Sequence, residues 1–159
     1  MRNIVLARID DRLIHGQVVT AWLKVTDGNY ILIPDDKLPN DMLMKRVLAA
    51  AAPAGVTLKI MPIDEAAAFL KEDSPAGEKV VILGKYPVTF ERLLQQGVEI
   101  KDLVLGGMVN NPQRKPFIKQ CAATEEEKES MRRIINDHGV HMYFQLVPGQ
   151  TVIEVKDHL

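Results

Sequence analysis

One histidine, two aspartates and two arginines fall within the stretch Arg8-Ile9-Asp10-Asp11-Arg12-Leu13-Ile14-His15. An imidazole nitrogen is a nucleophile near neutral pH, and a guanidinium fork matches the oxygens of a phosphoryl group. A second hydrogen bond, at the other imidazole nitrogen, usually fixes the tautomer. Together these types suit a residue that carries a phosphoryl group, with His15 as the nucleophile. Arg12 is the candidate clamp on the phosphoryl oxygens, and Arg8 is the weaker candidate because it falls within a strand. Asp10 can order the loop, or pair with Arg12 when no phosphate is present, and Asp11 is expected to face solvent or a partner. Gly16 and Gln17, just beyond, offer backbone N–H donors, and Gly16 lets the backbone approach closely. A loop histidine by itself is usually only a polar surface residue. Four charged neighbours at one turn are more than a solvated surface needs.

The elements around this stretch explain why it is placed to react. Ile4-Val5-Leu6-Ala7 reads as a buried first strand, and Val18-Val19-Thr20-Ala21-Trp22-Leu23 opens a helix. In open α/β sheets, ligands bind outside the carboxyl ends of the strands. The N-terminus of the following helix favours an anion. Further strands are expected at Ile4–Ile9, Tyr30–Ile33, Thr57–Met61, Val80–Leu83, Asp102–Leu105, Val140–Phe144 and Thr151–Val155. Most are continuous aliphatic runs, as in strands covered on both faces, while the last alternates like an edge strand.

Helices are expected at Gln17–Lys24, at Pro39–Ala52 (Met42, Val47, Leu48 and Ala51 inward), and at Ile63–Lys71 (Ala66, Ala67 and Leu70 inward). Two more are expected at Val88–Gln96, with Phe90, Leu93 and Leu94 inward, and at Glu125–Asp137, with Met131, Ile134 and Ile135 inward. Thr124-x-x-Glu127 has the spacing of a capping box, and Gly97 and Gly139 stand where helix stops belong. The alternation predicts an α/β fold: a doubly wound, mainly parallel open sheet with helices on both faces and one antiparallel edge strand. The segment 106–121 is either a functional loop or a short hairpin through Phe117-Ile118.

Composition sets the bounds. At 159 residues the chain fits one domain, 1–159. A net charge of −1 gives no reason to expect nucleic acid or an anionic membrane as a partner. One cysteine, Cys121, excludes an internal disulfide and suits a reduced, cytosolic compartment; a buried, inert thiol is the expected state. No secretory signal and no apolar stretch long enough to span a bilayer is expected. His138-Gly139-Val140-His141 looks like a metal pair, but Gly139 breaks the helix that would align it. No metal and no cofactor is therefore expected, and Trp22 reads as core.

Asp10-Asp11-Arg12-Leu13-Ile14-His15-Gly16-Gln17-Val18 resembles the phosphorylation loop of the IIB components of the bacterial phosphoenolpyruvate-dependent sugar phosphotransferase system, mannose/sorbose family. Val104-Leu105-Gly106-Gly107-Met108 and Phe144-Gln145-Leu146-Val147-Pro148 are similar to later stretches of that family, and the likeness runs the length of the chain. The resemblance implies a protein-phosphohistidine–sugar phosphotransferase. His15 would take a phosphoryl group through Nδ1 from phosphohistidine on a IIA phosphocarrier, supported by Arg12 and Asp10. It would pass the group to a sugar held by the membrane IIC/IID complex, making the chain cytoplasmic and peripherally membrane-associated. The sugar would be a hexose or amino sugar of the mannose, fructose, sorbose or N-acetylgalactosamine class.

The site is expected to be shallow, because a carrier that bound its phosphoryl group too well would discharge slowly. Lys85, Met108 and Arg114 are expected on the rim where partners dock. Two other readings use the same loop. A histidine-dependent phosphatase or mutase would resemble Arg-His-Gly, but Ile14 stands before His15. A noncatalytic regulatory module would use the charged loop for contacts alone.

Overall fold

The computed structural model describes residues 1–159. Strands β1 (Ile4–Asp10), β2 (Tyr30–Pro34), β3 (Thr57–Met61), β4 (Val80–Gly84), β5 (Asp102–Gly107), β8 (His141–Phe144) and β9 (Ile153–Glu154) form one sheet in the order β3-β2-β4-β1-β5-β8-β9. All neighbours are parallel except β8 and β9. This is the doubly wound sheet with one antiparallel edge expected above. The edge strand is shorter than Thr151–Val155, because Val155 turns into a 3₁₀ segment, Val155–His158, and is itself fully buried.

Alternate residues of each central strand feed two cores. Ala7, Ile9, Leu32, Ile82, Leu103 and Leu105 pack under α3 (Ile63–Lys71), α4 (Pro87–Gln95) and α5 (Glu125–His138). Leu6, Ile31, Ile33, Val81 and Val104 pack under α1 (Gly16–Thr26) and α2 (Met42–Ala51). Trp22 is in the second core, as expected. A strand with both faces covered needs apolar residues at every position, which is why β2 and β4 lack alternation.

One expectation is corrected, and of the two readings left open for the segment 106–121 the hairpin is the one observed. The helix expected at Pro39–Ala52 divides into a 3₁₀ turn, Leu38–Asn40, and α2, because Asp41 caps a new start by accepting from Met44 N at 3.1 Å. Its inner stripe is then Met44, Leu48 and Ala52 rather than Met42, Val47 and Ala51, which are exposed. The pattern was ambiguous because both stripes are apolar, and the cap sets which one faces the sheet. The segment 106–121 contains no long loop: Gly106 and Gly107 extend β5, and β6 (Lys115–Ile118) pairs antiparallel with β7 (Cys121–Ala123). The hairpin turns at Lys119, in the left-handed region.

The connections leave opposite faces of the sheet on the two sides of β1 and β5. The neighbours of β1 are β4 and β5; the connection from β1 leaves toward the α1 face and that from β5 toward the α5 face. The carboxyl ends of β1 and β5 therefore flank a crevice, the usual ligand position in such sheets.

Candidate functional site

The 10–15 segment occupies that crevice. Asp10 O accepts from Leu13 N at 3.0 Å, closing a tight turn, and Asp11 N donates to Gly107 O at 3.1 Å. Leu13 sits at φ 57° although it is not glycine, a strain of order 1–3 kcal/mol that surrounding structure must overcome. It does so by burying Leu13 and Ile14 in the α1-side core. Two apolar plugs thus hold the turn while Arg12 and His15, on either side of them, remain partly open. Gly16 follows at φ 49°, a conformation that suits a residue without Cβ.

Asp10 is the hub. Its residue is 1 % exposed. Oδ1 accepts from Arg12 N at 3.1 Å and Arg12 Nε at 3.0 Å; Oδ2 accepts from Arg12 Nη2 at 3.2 Å and Arg8 Nη2 at 3.5 Å. His15 Nε2 lies 3.4 Å from the same Oδ2. In the tautomer that donates from Nε2, the lone pair is on Nδ1, which makes no hydrogen bond. The His15 side chain is 27 % exposed and that of Arg12 37 %. The bond to Asp10 holds the Arg12 guanidinium above its ordinary range, while burial pulls Arg8 below its own.

His15 is also the N-cap of α1. It makes no side-chain cap bond, and the first turn carries no acidic residue. The free N–H groups of that turn, at Gly16 and Gln17, therefore remain available to an anion beside the imidazole.

Other residues expected near the site are placed differently. Asp11 faces neither solvent nor partner: its carboxylate accepts from Arg114 Nη1 and Val109 N, both at 2.9 Å. Arg114 is not on the rim but buried, donating to Glu127 at 2.9 and 2.7 Å through Nε and Nη2. Flanked by two carboxylates, its pKa is driven above the ordinary arginine range. Met108 is buried as well, and Lys85 is half-buried. Sequence spacing could not show that the arginine of the hairpin would reach back to Asp11. Nor did it show why β5 ends in Gly-Gly. A Cβ on Gly106 would stand 2.1 Å from Arg8 Cζ, and one on Gly107 2.6 Å from Asp10 Oδ1. The glycine pair in a strand was the available signal of close approach.

Cys121 is buried and its thiol is pushed up to about 11 by burial, so it is a poor nucleophile. His141 pairs with Asp102 and Glu154, and no group of three or more His, Cys, Asp or Glu side chains is arranged to hold a metal ion. A groove of about 570 Å³ lies at the opposite end of the sheet, against Met1, Trp22, Lys101 and Tyr143, away from His15.

Over nearly its whole length the chain is similar to known proteins. Residues 4–159 match the family model of the PTS system sorbose subfamily IIB component. The chain belongs to this IIB family. It is 32 % identical to the sorbose-specific EIIB component of Klebsiella pneumoniae, over 99 % of this chain and 95 % of that one. The crystal structure of the IIBSor domain of the sorbose permease from the same organism superposes with a TM-score of 0.92 at 32 % identity, covering 98 % of this chain and 95 % of that one. The mannose-specific EIIAB component of Escherichia coli (strain K12) is also 32 % identical over 96 % of the chain, which spans 47 % of that longer protein. IIB components are phosphocarriers in phosphotransferase-system sugar uptake and work with IIA and membrane IIC/IID partners. No helix of this IIB chain is long and apolar enough to cross a membrane.

Proposed function

We propose that this IIB component accepts a phosphoryl group on His15 Nδ1 from a phosphohistidine of its IIA partner and passes it to the sugar entering through the IIC/IID complex. The observation that carries the reading is the state of the imidazole: Nε2 faces the buried Asp10 carboxylate, and Nδ1 is unoccupied beside an uncapped helix N-terminus.

In the accepting step the Nδ1 lone pair attacks phosphorus. The P–N bond to the IIA imidazole breaks as the new one forms, and the bonding pair returns to IIA. No electrons are transferred and no metal is required. Nε2–H stays on the ring and donates to Asp10 as positive charge builds on the imidazole, which steadies it. Arg12 leaves Asp10 for the phosphoryl oxygens, and the N–H groups of Gly16 and Gln17 complete the cradle. In discharge a sugar hydroxyl oxygen attacks phosphorus as the P–N bond to His15 breaks; the bonding pair returns to Nδ1, and the hydroxyl proton passes to solvent. The open setting of His15 fits a group that must meet two partners in turn. As a partner of a membrane transporter the chain would be a cytoplasmic, peripherally associated protein of one domain, 1–159, and the sugar a hexose or amino sugar.

The test is phosphorus NMR of the chain incubated with phosphoenolpyruvate, enzyme I, HPr and a mannose-family IIA. A phosphohistidine signal from the wild type, assigned to Nδ1 and absent from His15→Ala, is expected. A wild type that stays unphosphorylated beside several demonstrably phosphorylated IIA proteins would overturn the reading.

A further inference from the structure

Two guanidiniums reach Asp10, and the fold treats them oppositely. Both side-chain hydrogen bonds of Arg12 go to Asp10 alone, and the side chain is 37 % exposed, so nothing else retains it. Arg8 is 1 % exposed and held on every side. Its Nη1 donates to Gln145 O at 2.8 Å and its Nη2 to Leu146 O at 2.9 Å. The Trp22 ring covers it at 5.3 Å, and Trp22 Nε1 donates to the same Leu146 O at 3.1 Å. Gly106 forms the floor, where any side chain would collide with the guanidinium. Arg8 Nε is buried without a hydrogen-bond partner.

We propose that Arg8 is a positioning residue for phosphoryl transfer: the fixed counter-charge that stays against Asp10 when Arg12 swings away to the phosphoryl group. The proposal rests on the reading of His15 as the phosphorylated residue. With Arg8 in place, Asp10 is never left as a buried, unpaired carboxylate, so it remains an acceptor for His15 Nε2–H while the charge on the imidazole rises. Without Arg8, Arg12 becomes the only cation on Asp10. Either it is retained there and withheld from the phosphoryl oxygens, or its departure leaves Asp10 buried and unpaired. The segment 145–146, tied by its carbonyls to Arg8, then loses its link to the site as well.

The experiment compares wild type, Arg8→Lys and Arg8→Met in rapid-quench phosphorylation by phospho-IIA over a range of IIA concentrations, with ¹⁵N NMR of the His15 ring. Arg8→Lys keeps a charge but not the fork, which guards against a variant that simply fails to fold. The expected result for Arg8→Met is a maximal rate lowered on the order of 10- to 100-fold, with the half-saturating IIA concentration within about twofold of wild type. The His15 ring should show a mixture of tautomers. Arg8→Lys, which restores the charge, should recover part of each change.

Wild-type rate and tautomer in a folded Arg8→Met would overturn the proposal, and so would an Arg8→Lys no better than Arg8→Met. So would a loss confined to the half-saturating concentration or matched by the unfolded fraction. If the wild type itself takes no phosphoryl group, the His15 reading fails and the role of Arg8 with it. A phosphorylated wild type beside an unaffected, folded Arg8→Met overturns the role of Arg8 alone.

Discussion

The N-termini of α1 and α5 lie at the same end of the sheet and are built in opposite ways. At α5 the chain satisfies its own helix. Thr124 Oγ1 accepts from Glu127 N and the Glu127 carboxylate accepts from Thr124 N, both at 3.0 Å, and Glu125, Glu126 and Glu127 fill the first turn. At α1 the cap position is His15, whose side chain caps nothing, and no acid follows. The positive end of α5 is neutralised within the protein; that of α1 is left for something that arrives. Arg114 joins the two regions, with one carboxylate partner from each, Glu127 and Asp11. The closed terminus thus serves as the anchor from which the open one is held.

The sharpest way to break that link is Arg114→Met. It strands two largely buried carboxylates, and the expected cost is about 3–5 kcal/mol of stability, read as a lowered denaturant midpoint at unchanged slope. Double substitution with Asp11→Asn and Glu127→Gln should recover part of the loss. Thr124→Ala then separates the two helix ends. It should cost about 1 kcal/mol in chemical denaturation and leave the phosphorylation rate of the folded protein unchanged.

The converse change, Gln17→Glu, gives α1 the acid that α5 already has. It should stabilise the protein by about 0.3–1 kcal/mol through the helix dipole. It should also slow phosphorylation several-fold, because it places a negative charge where the phosphoryl group must arrive. A Gln17→Glu variant that gains stability and keeps its transfer rate would show that the α1 terminus is not an anion site.

The smallest effects concern pH and lie away from the α1 terminus. Glu91, buried against α5, is held below the ordinary carboxylate range by Arg133 and then by Ser130. A depressed carboxylate contributes stability that is present above its unfolded pKa and is lost as pH falls through the folded one. His141, bonded by Glu154 and Asp102, is raised. Its contribution is full below the unfolded pKa and disappears as pH rises through the folded value. Thermal melts of Glu91→Gln should lose the acid-side decline in part, and those of His141→Gln a shallow decline above neutral pH. Unchanged pH profiles in both would mean that these pairs contribute nothing measurable.

Much was legible in the sequence because local rules carry it. Continuous aliphatic runs marked the central strands, Thr124 and Glu127 announced their capping box, and Gly139 adopts the left-handed stop expected of it. The order strand–charged turn–helix placed Arg12, Asp10 and His15 at the carboxyl end of β1, and these three do converge. Less legible was the face of α2, where two apolar stripes compete and Asp41 selects one. The destinations of Asp11 and Arg114 were not legible at all, since 103 residues separate them.

What the sequence by itself determined is the set of elements and the chemical types at the turn after β1, because periodicity, caps and the left-handed tolerance of glycine act over a few residues. What only the tertiary structure decided is which charges are fixed and which are free. Arg8 and Arg12 are identical side chains four positions apart, at the end of one strand and in the turn beyond it. One is enclosed by Trp22, Gly106 and the carbonyls of 145–146, and the other opens toward solvent. The floor at Gly106 and the carbonyls of 145–146 come from segments more than ninety residues away in the chain, and no local pattern in the sequence specifies them.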